Sequence, residues 1–228
     1  MTSQMPGPLA GLRVLELTGE HAQFCGKLMA DLGADVIKIE PPGGQETREV
    51  GPFLDDEPGP ERSLYFWHYN TSKRGITLDI TKPEGQEVFR KLAATAGLVL
   101  ESFPAGYLPS LGLAYDSLSA DNPGLIMCSV TPFGQDGPWR DYQTSDLLHL
   151  AAGGQMASSG YDVEDVPDAP PIAPGGGNAW HIASHYAYIG IMGALYHRDF
   201  TGEGQYIDVS VHEACSLTTE GEIGRAHV

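Results

Sequence analysis

Five short apolar runs constrain this chain more than any other feature: "LRVLELT" (12–18), "ADVIKIE" (34–40), "GITLDI" (75–80), "GLVLES" (97–102) and "LIMCSV" (125–130). Between them lie stretches with helical periodicity. In "EHAQFCGKLMADLG", Cys25, Leu28, Met29 and Leu32 recur at i, i+3, i+4 and i+7, and Gly33 stands where a helix ends. After the third run, Thr81 is placed to cap a helix, with Pro83 in its first turn and Glu84 completing a capping box. Val88, Phe89, Leu92 and Ala93 form the expected buried stripe of that helix. Strands alternating with helices through short connections build a parallel sheet covered by helices. The fold class expected is therefore α/β: a Rossmann-like, doubly wound, mostly parallel sheet with helices on both faces.

Residues 41–69 are rich in Pro, Gly and acids, then aromatic, and read as an excursion from this frame. A helix is expected over 145–158, and a long one over 178–197 with Ile182, Tyr186, Ile189, Gly193 and Tyr196 along one stripe. Ala183, Ala187, Gly190, Gly193 and Ala194 would let another helix approach that element closely. "GQYIDVSVHEA" is a strand running into a helix start. No internal repeat or low-complexity segment is evident.

The chain's 228 residues include 13 Lys plus Arg against 30 Asp plus Glu, a formal charge of −17. A field of that sign repels nucleic acid and anionic membranes, so neither is expected as a partner. It admits a phosphorylated ligand only where the few cations cluster. Cys25, Cys128 and Cys215 form no C-x-x-C pair, which fits reduced thiols and a cytoplasmic location. No apolar run approaches the length of a membrane span.

The sequence lacks the motifs that usually announce chemistry. No G-x-G-x-x-G follows the first strand, and no P-loop, G-x-S-x-G or H-E-x-x-H occurs. His181 and His185 are spaced i, i+4 without a carboxylate between them, so two packed histidines are favoured over a metal site, and no metal is expected. "NTSKRG" (70–75) places Lys73 and Arg74 beside Asn70 just before a strand, either as a phosphate-holding loop or as a solvated turn. "IAPGGGNAWHIASHYAYIG" (172–190) has the glycines and helix start of a ligand-binding junction, yet no Asp, Glu, Cys or Lys.

Six blocks carry a resemblance: "PLAGLRVLELT", "ADLGADVIKIEPPGG", "NTSKRGITLDI", "ESFPAGYLPSLGLAYDSL", "NPGLIMCSVTPFGQDGP" and "TGEGQYIDVSVHEA". In order and spacing the chain resembles the N-terminal half of family III CoA-transferases, a family that includes formyl-CoA and carnitine CoA-transferases and α-methylacyl-CoA racemase. The resemblance implies a CoA-binding large domain (1–200), the start of a linker to a small domain that the chain does not reach (201–221), and an interlocked homodimer. It implies coenzyme A or acyl-CoA, together with a carboxylic acid, as substrates. It also places Lys38, Asn70, Lys73, Arg74, Ser102 and Phe103 where the family contacts or borders CoA.

Two departures stand out. "ESFPAG" replaces the family's E-N-F-R-P-G, so Ser102 stands for Asn and Pro104 for a phosphate-binding Arg. The family's nucleophilic Asp, which attacks the thioester, aligns with Trp180 or, by a small shift, with Asn178; neither side chain is a carboxylate nucleophile. Asp146, Asn178 and His181 are left as catalytic candidates, with Asp146 read more readily as a group that caps or orients a helix. Ser145 occupies the position of the His used in racemases, which disfavours racemisation. The chain is expected to be a fragment whose nucleophile lies elsewhere. The alternatives are a non-catalytic CoA-binding or dimerising half of a tandem enzyme, and an acyl-CoA racemase or isomerase. "EIGRAHV" (222–228) is compatible with a translated sequencing adapter and is expected to be a non-native tail.

Overall fold

Val14, Leu15 and Leu17 are almost completely buried, along with Leu98, Val99 and Leu100, because the runs that contain them are the two central strands of one sheet. The computed structural model describes residues 6–161 and 166–219; the expected tail at 222–228 lies outside them. The strands are β1 (Arg13–Leu17), β2 (Asp35–Glu40), β3 (Arg74–Thr77), β4 (Leu98–Glu101), β5 (Ile126–Thr131) and β6 (Tyr206–Ser210). They form a six-stranded sheet in the order β3-β2-β1-β4-β5-β6, every pair parallel. This is the doubly wound α/β order, and it reverses direction between β1 and β4.

The helices are α1 (Gln23–Asp31), α2 (Leu64–Tyr69), α3 (Pro83–Ala93), α4 (Tyr107–Ser110), α5 (Tyr115–Ser119), α6 (Asp146–Ala152), α7 (Gln155–Ser158), α8 (Asn178–Thr201) and α9 (Val211–Leu217). On one face of the sheet, Met29 of α1 and Ala183, Ala187 and Ile191 of α8 pack against Leu100 and Cys128. On the other, Phe89 of α3, Leu108 of α4 and Leu118 of α5 pack against Leu15 and Val99. Each such large side chain contributes about 1.5–3 kcal/mol of burial. Among the described residues, no helix is long and apolar enough to cross a membrane.

Local structure follows the sequence with instructive exceptions. In α1, Cys25 and Met29 are buried, whereas Leu28 and Leu32 are half-buried. Gly33 ends the helix at φ +96°, as expected, and a Cβ there would lie 3.0 Å from Gly7 Cα. Thr81 does not cap α3. Its amide and hydroxyl both donate to Asp79 Oδ1, a local turn that captures the group, and Lys82 takes the cap position without a side-chain bond. The buried face of α3 is correspondingly rotated: Phe89 and Ala93 are buried, Leu92 is half-buried and Val88 is exposed. The excursion over 41–69 contains α2, whose cap Ser63 accepts from Phe66 N at 3.0 Å and which buries Phe66 and Tyr69. The helix expected over 145–158 breaks into α6 and α7 at Gly153–Gly154, with Gly154 at φ +94°.

α8 corrects the expected stripe. Ala179, Ala183, Ala187 and Ala194 face inward, while Ile189 and Tyr196 point outward with relative exposures of 64% and 68%. Small residues face the core because the helix lies close to the sheet and α1. Within 201–221, expected as linker, β6 pairs in register with β5 and α9 buries Val211, Ala214 and Cys215. β6 and α9 are an integral part of the sheet and its cover.

Candidate functional site

Glu16 sits one residue before the C-terminal end of β1, where its side chain is fully buried. Two lysines meet it. Lys38 on β2 donates to Glu16 Oε1 at 3.1 Å and to the Thr18 carbonyl at 2.8 Å. Lys73 approaches both carboxylate oxygens at 2.8–2.9 Å and donates to the Gln23 carbonyl and Asn70 Oδ1, each at 3.0 Å. Burial pushes the Glu16 carboxyl up, but the two ammonium groups outweigh it and hold it below the usual range. Burial pulls Lys73 down to about 8 against the attraction of Glu16. Gly26 of α1 makes room for this network, since a Cβ there would lie 2.0 Å from Glu16 Oε2.

Above the network the chain turns from β1 into α1, and this turn forms one side of a crevice of about 640 Å³. The crevice opens at the C-terminal ends of β1, β2, β4 and β5, around the point where strand order reverses. That is where open α/β sheets bind ligands. Gly19 and His21 follow β1, Pro41 and Gln45 follow β2, Ser102 and Phe103 follow β4, and Arg140 and Thr144 follow β5. Ser102 Oγ accepts from Gly19 N at 2.9 Å and ties the two walls together. Phe103 N donates to Glu101 Oε2 at 2.7 Å, which fixes the start of the β4–α4 loop.

The structure separates the six residues expected at a CoA site. Ser102 and Phe103 line the crevice directly. Lys38, Lys73 and Asn70 lie beneath or behind the β1–α1 turn, committed to Glu16, Thr18 and one another. Arg74 is not brought to the crevice. It donates to Asp35 at 2.8 Å, and Arg13 donates to the same carboxylate at 3.1 Å, at the opposite, N-terminal end of the strands. Arg140 lines the crevice and donates to the Ala105 carbonyl at 3.2 Å. Arg140 lies just beyond the block "NPGLIMCSVTPFGQDGP" and was not among the expected site residues; the signal available was a cation in the segment following β5.

The three catalytic candidates gather near the first turn of α8. Asp146 Oδ1 accepts from Ala179 N at 2.8 Å, so its carboxylate caps that turn. Burial raises its pKa. Asn178 is the first residue of α8. His181 shares a 2.6 Å hydrogen bond with the Tyr69 hydroxyl, and burial, with His185 and His68 nearby, lowers its pKa. None of the three is among the residues lining the crevice. Trp180, 5% exposed, packs between His21, at a centroid distance of 4.4 Å, and His149, at 5.5 Å. Burial takes both histidines down to about 4. Among the described residues, no group of three or more His, Cys, Asp or Glu is placed to hold a metal ion.

A family model described as CoA-transferase family III matches residues 9–227. The chain belongs to that family. The succinyl-CoA:(R)-benzylsuccinate CoA-transferase subunit BbsE of Thauera aromatica is 42% identical over 91% of this chain and 50% of its own length. The succinyl-CoA–D-citramalate CoA-transferase of Chloroflexus aurantiacus is 39% identical over 98% of this chain and 54% of its own. A CAIB/BAIF family protein from Brucella suis superposes with a TM-score of 0.85 at 40% identity, covering 93% of this chain and 55% of that one. The chain spans about half the length of the curated relatives it matches.

Proposed function

We propose that this chain is the CoA-binding portion of an enzyme that moves coenzyme A between an acyl-CoA and a free carboxylic acid, and that acyl-CoA occupies the crevice at the reversal of strand order. One observation carries the reading: in a family III CoA-transferase sequence, that crevice is lined by Ser102, Phe103 and Arg140. Phe103 offers an apolar face to adenine or to the pantetheine arm. Arg140 supplies a phosphate partner in a chain poor in cations. Lys38, Lys73 and Asn70 serve binding indirectly, by holding the Thr18–Gly19 turn from beneath. Relatives named for succinyl-CoA make succinyl-CoA the first ligand to titrate.

The carboxylate that receives the acyl group comes from outside this chain. In the first turn of α8 stand Asn178, Ala179 and Trp180, none a carboxylate, and the nearest one, Asp146, is engaged by Ala179 N. An amide or an indole cannot form the mixed anhydride that such a transfer requires. Ser145 caps α6 through Leu148 N, which leaves no acid/base histidine at that position for racemisation. The outward residues Ile189, Tyr196 and Phe200 of α8 supply an apolar surface for a second copy of the chain.

The test is calorimetric titration of succinyl-CoA and CoA into the chain and into Arg140→Ala. Loss of one charge-assisted phosphate contact is expected to weaken binding roughly 10- to 100-fold. Absence of binding by the unaltered chain, or equal affinity in the variant, overturns the site.

A further inference from the structure

Three glutamates are buried in the described part of the chain: Glu16, Glu40 and Glu101. Glu16 has Lys38 and Lys73, and Glu40 has Arg48 at 2.6 Å. Glu101, 3% exposed, opens instead onto a second cavity of about 410 Å³, and among the described residues no lysine, arginine or histidine lines it. The carboxyl has only neutral donors beside it, Phe103 N at 2.7 Å and the Ser129 hydroxyl. Strand register puts Glu101 of β4 opposite Ser129 of β5, and Ser129 opposite Asp208 of β6. The Tyr206 hydroxyl donates to Ser129 Oγ at 3.0 Å, and the rings of Tyr115 and Tyr206 lie 5.8 Å apart. Tyr107, Asp116 and Gln135 complete the polar and aromatic part of the lining.

We propose that this cavity binds a small organic cation, its ammonium or amidinium group against Glu101 and its carbon skeleton against Tyr107, Tyr115 and Tyr206. A carboxylate removed from water without a counter-charge is costly, and a cationic ligand supplies the charge that the fold omits. Tyrosine faces attract the same cation through their quadrupoles. Phosphates and carboxylates are repelled, because Asp116 lines the cavity and Asp208 stands one strand beyond Ser129. The site lies across the 102–106 loop from the crevice and does not rest on the CoA reading.

Burial raises the Glu101 carboxyl to about 7, Asp208 adding to the rise and the Ser129 and Phe103 donors opposing it. The other titratable groups around it are Tyr107 and Asp116 on the α4–α5 side, Tyr115, Cys128 on β5 and Tyr206 on β6. Asp208 is itself raised and accepts from Gln135 N at 2.8 Å. A cation that requires the ionised carboxylate therefore binds more tightly as pH rises, by about tenfold per unit below pH ~7, and levels off above it.

The experiment titrates benzylammonium into the chain calorimetrically from pH 5.5 to 8, with benzyl alcohol as the uncharged control. Saturable binding with that pH profile, at least tenfold weaker in Glu101→Gln and weakened in Tyr206→Leu, is the expected result. The tyrosine variant keeps the test decisive should the glutamine variant fail to fold. No binding, pH-independent binding, or equal binding of benzyl alcohol overturns the proposal.

Discussion

Lys73 Nζ lies 2.8 Å from Glu16 Oε2 inside the domain, with both side chains at 1% exposure or less. The contact joins the loop before β3 to the C-terminal part of β1 across the intervening β2. Removing the negative charge would leave two buried ammonium groups, Lys38 and Lys73, facing each other. Glu16→Gln is expected to destabilise the fold by about 3–5 kcal/mol, read as a drop in the denaturant midpoint. A change below about 1 kcal/mol would show that the network is not holding these strands.

Trp180 is packed on both sides by histidines that burial keeps neutral at pH 7. Trp180→Asp places a carboxylate between two histidines that burial holds neutral in the parent chain. The variant is expected to be less stable, by about 3–5 kcal/mol from the lost indole alone, and to show no transferase turnover. Chromatographic assay of CoA transfer from succinyl-CoA to a free acid checks this; turnover from this single change would show that the surrounding groups already suffice.

Glu101 makes stability depend on pH. Its carboxyl titrates near 7 when folded, against an unperturbed 4.5, so between those values the folded chain binds more protons than the unfolded one. Stability therefore falls as pH rises from about 4.5 to 7, on the order of 3 kcal/mol in total for this group. Glu101→Gln is expected to remove that slope, leaving the variant more stable than the parent at pH 8. Parallel unfolding curves for the two proteins across this range would contradict the assignment.

Much of the frame was legible because strand and helix periodicities differ so sharply. The runs containing Val14, Val36, Leu98 and Ile126 read as core strands, and their alternation with helices pointed to parallel pairing, though not to the order of the strands. Where sequence reasoning went astray, the cause was competition between local and distant partners. Asp79 took the hydroxyl of Thr81 that looked like a cap. On α8 both faces carry apolar residues, so periodicity alone could not say that the alanines face inward and Ile189 and Tyr196 outward. The residues of "NTSKRG" showed that cations were clustered but not where their side chains ran. Lys73 turns inward to Glu16 and Arg74 runs to Asp35, because those carboxylates lie on strands brought alongside by the fold. Arg140, in an irregular loop, carried no periodic signal.

The crevice draws its two sides from separate stretches of polypeptide, one following β1 and β2, the other following β4 and β5. Two bonds to Ser102 cross between the sides, its hydroxyl accepting from Gly19 N and its amide donating to the Leu17 carbonyl, whereas Gln45 with Thr18 and Arg140 with Ala105 each stay within one side. Substitutions in the later stretch can therefore retune what is held there while the earlier stretch keeps its shape. A lineage built on this arrangement can diversify one bank of the channel and leave the other untouched.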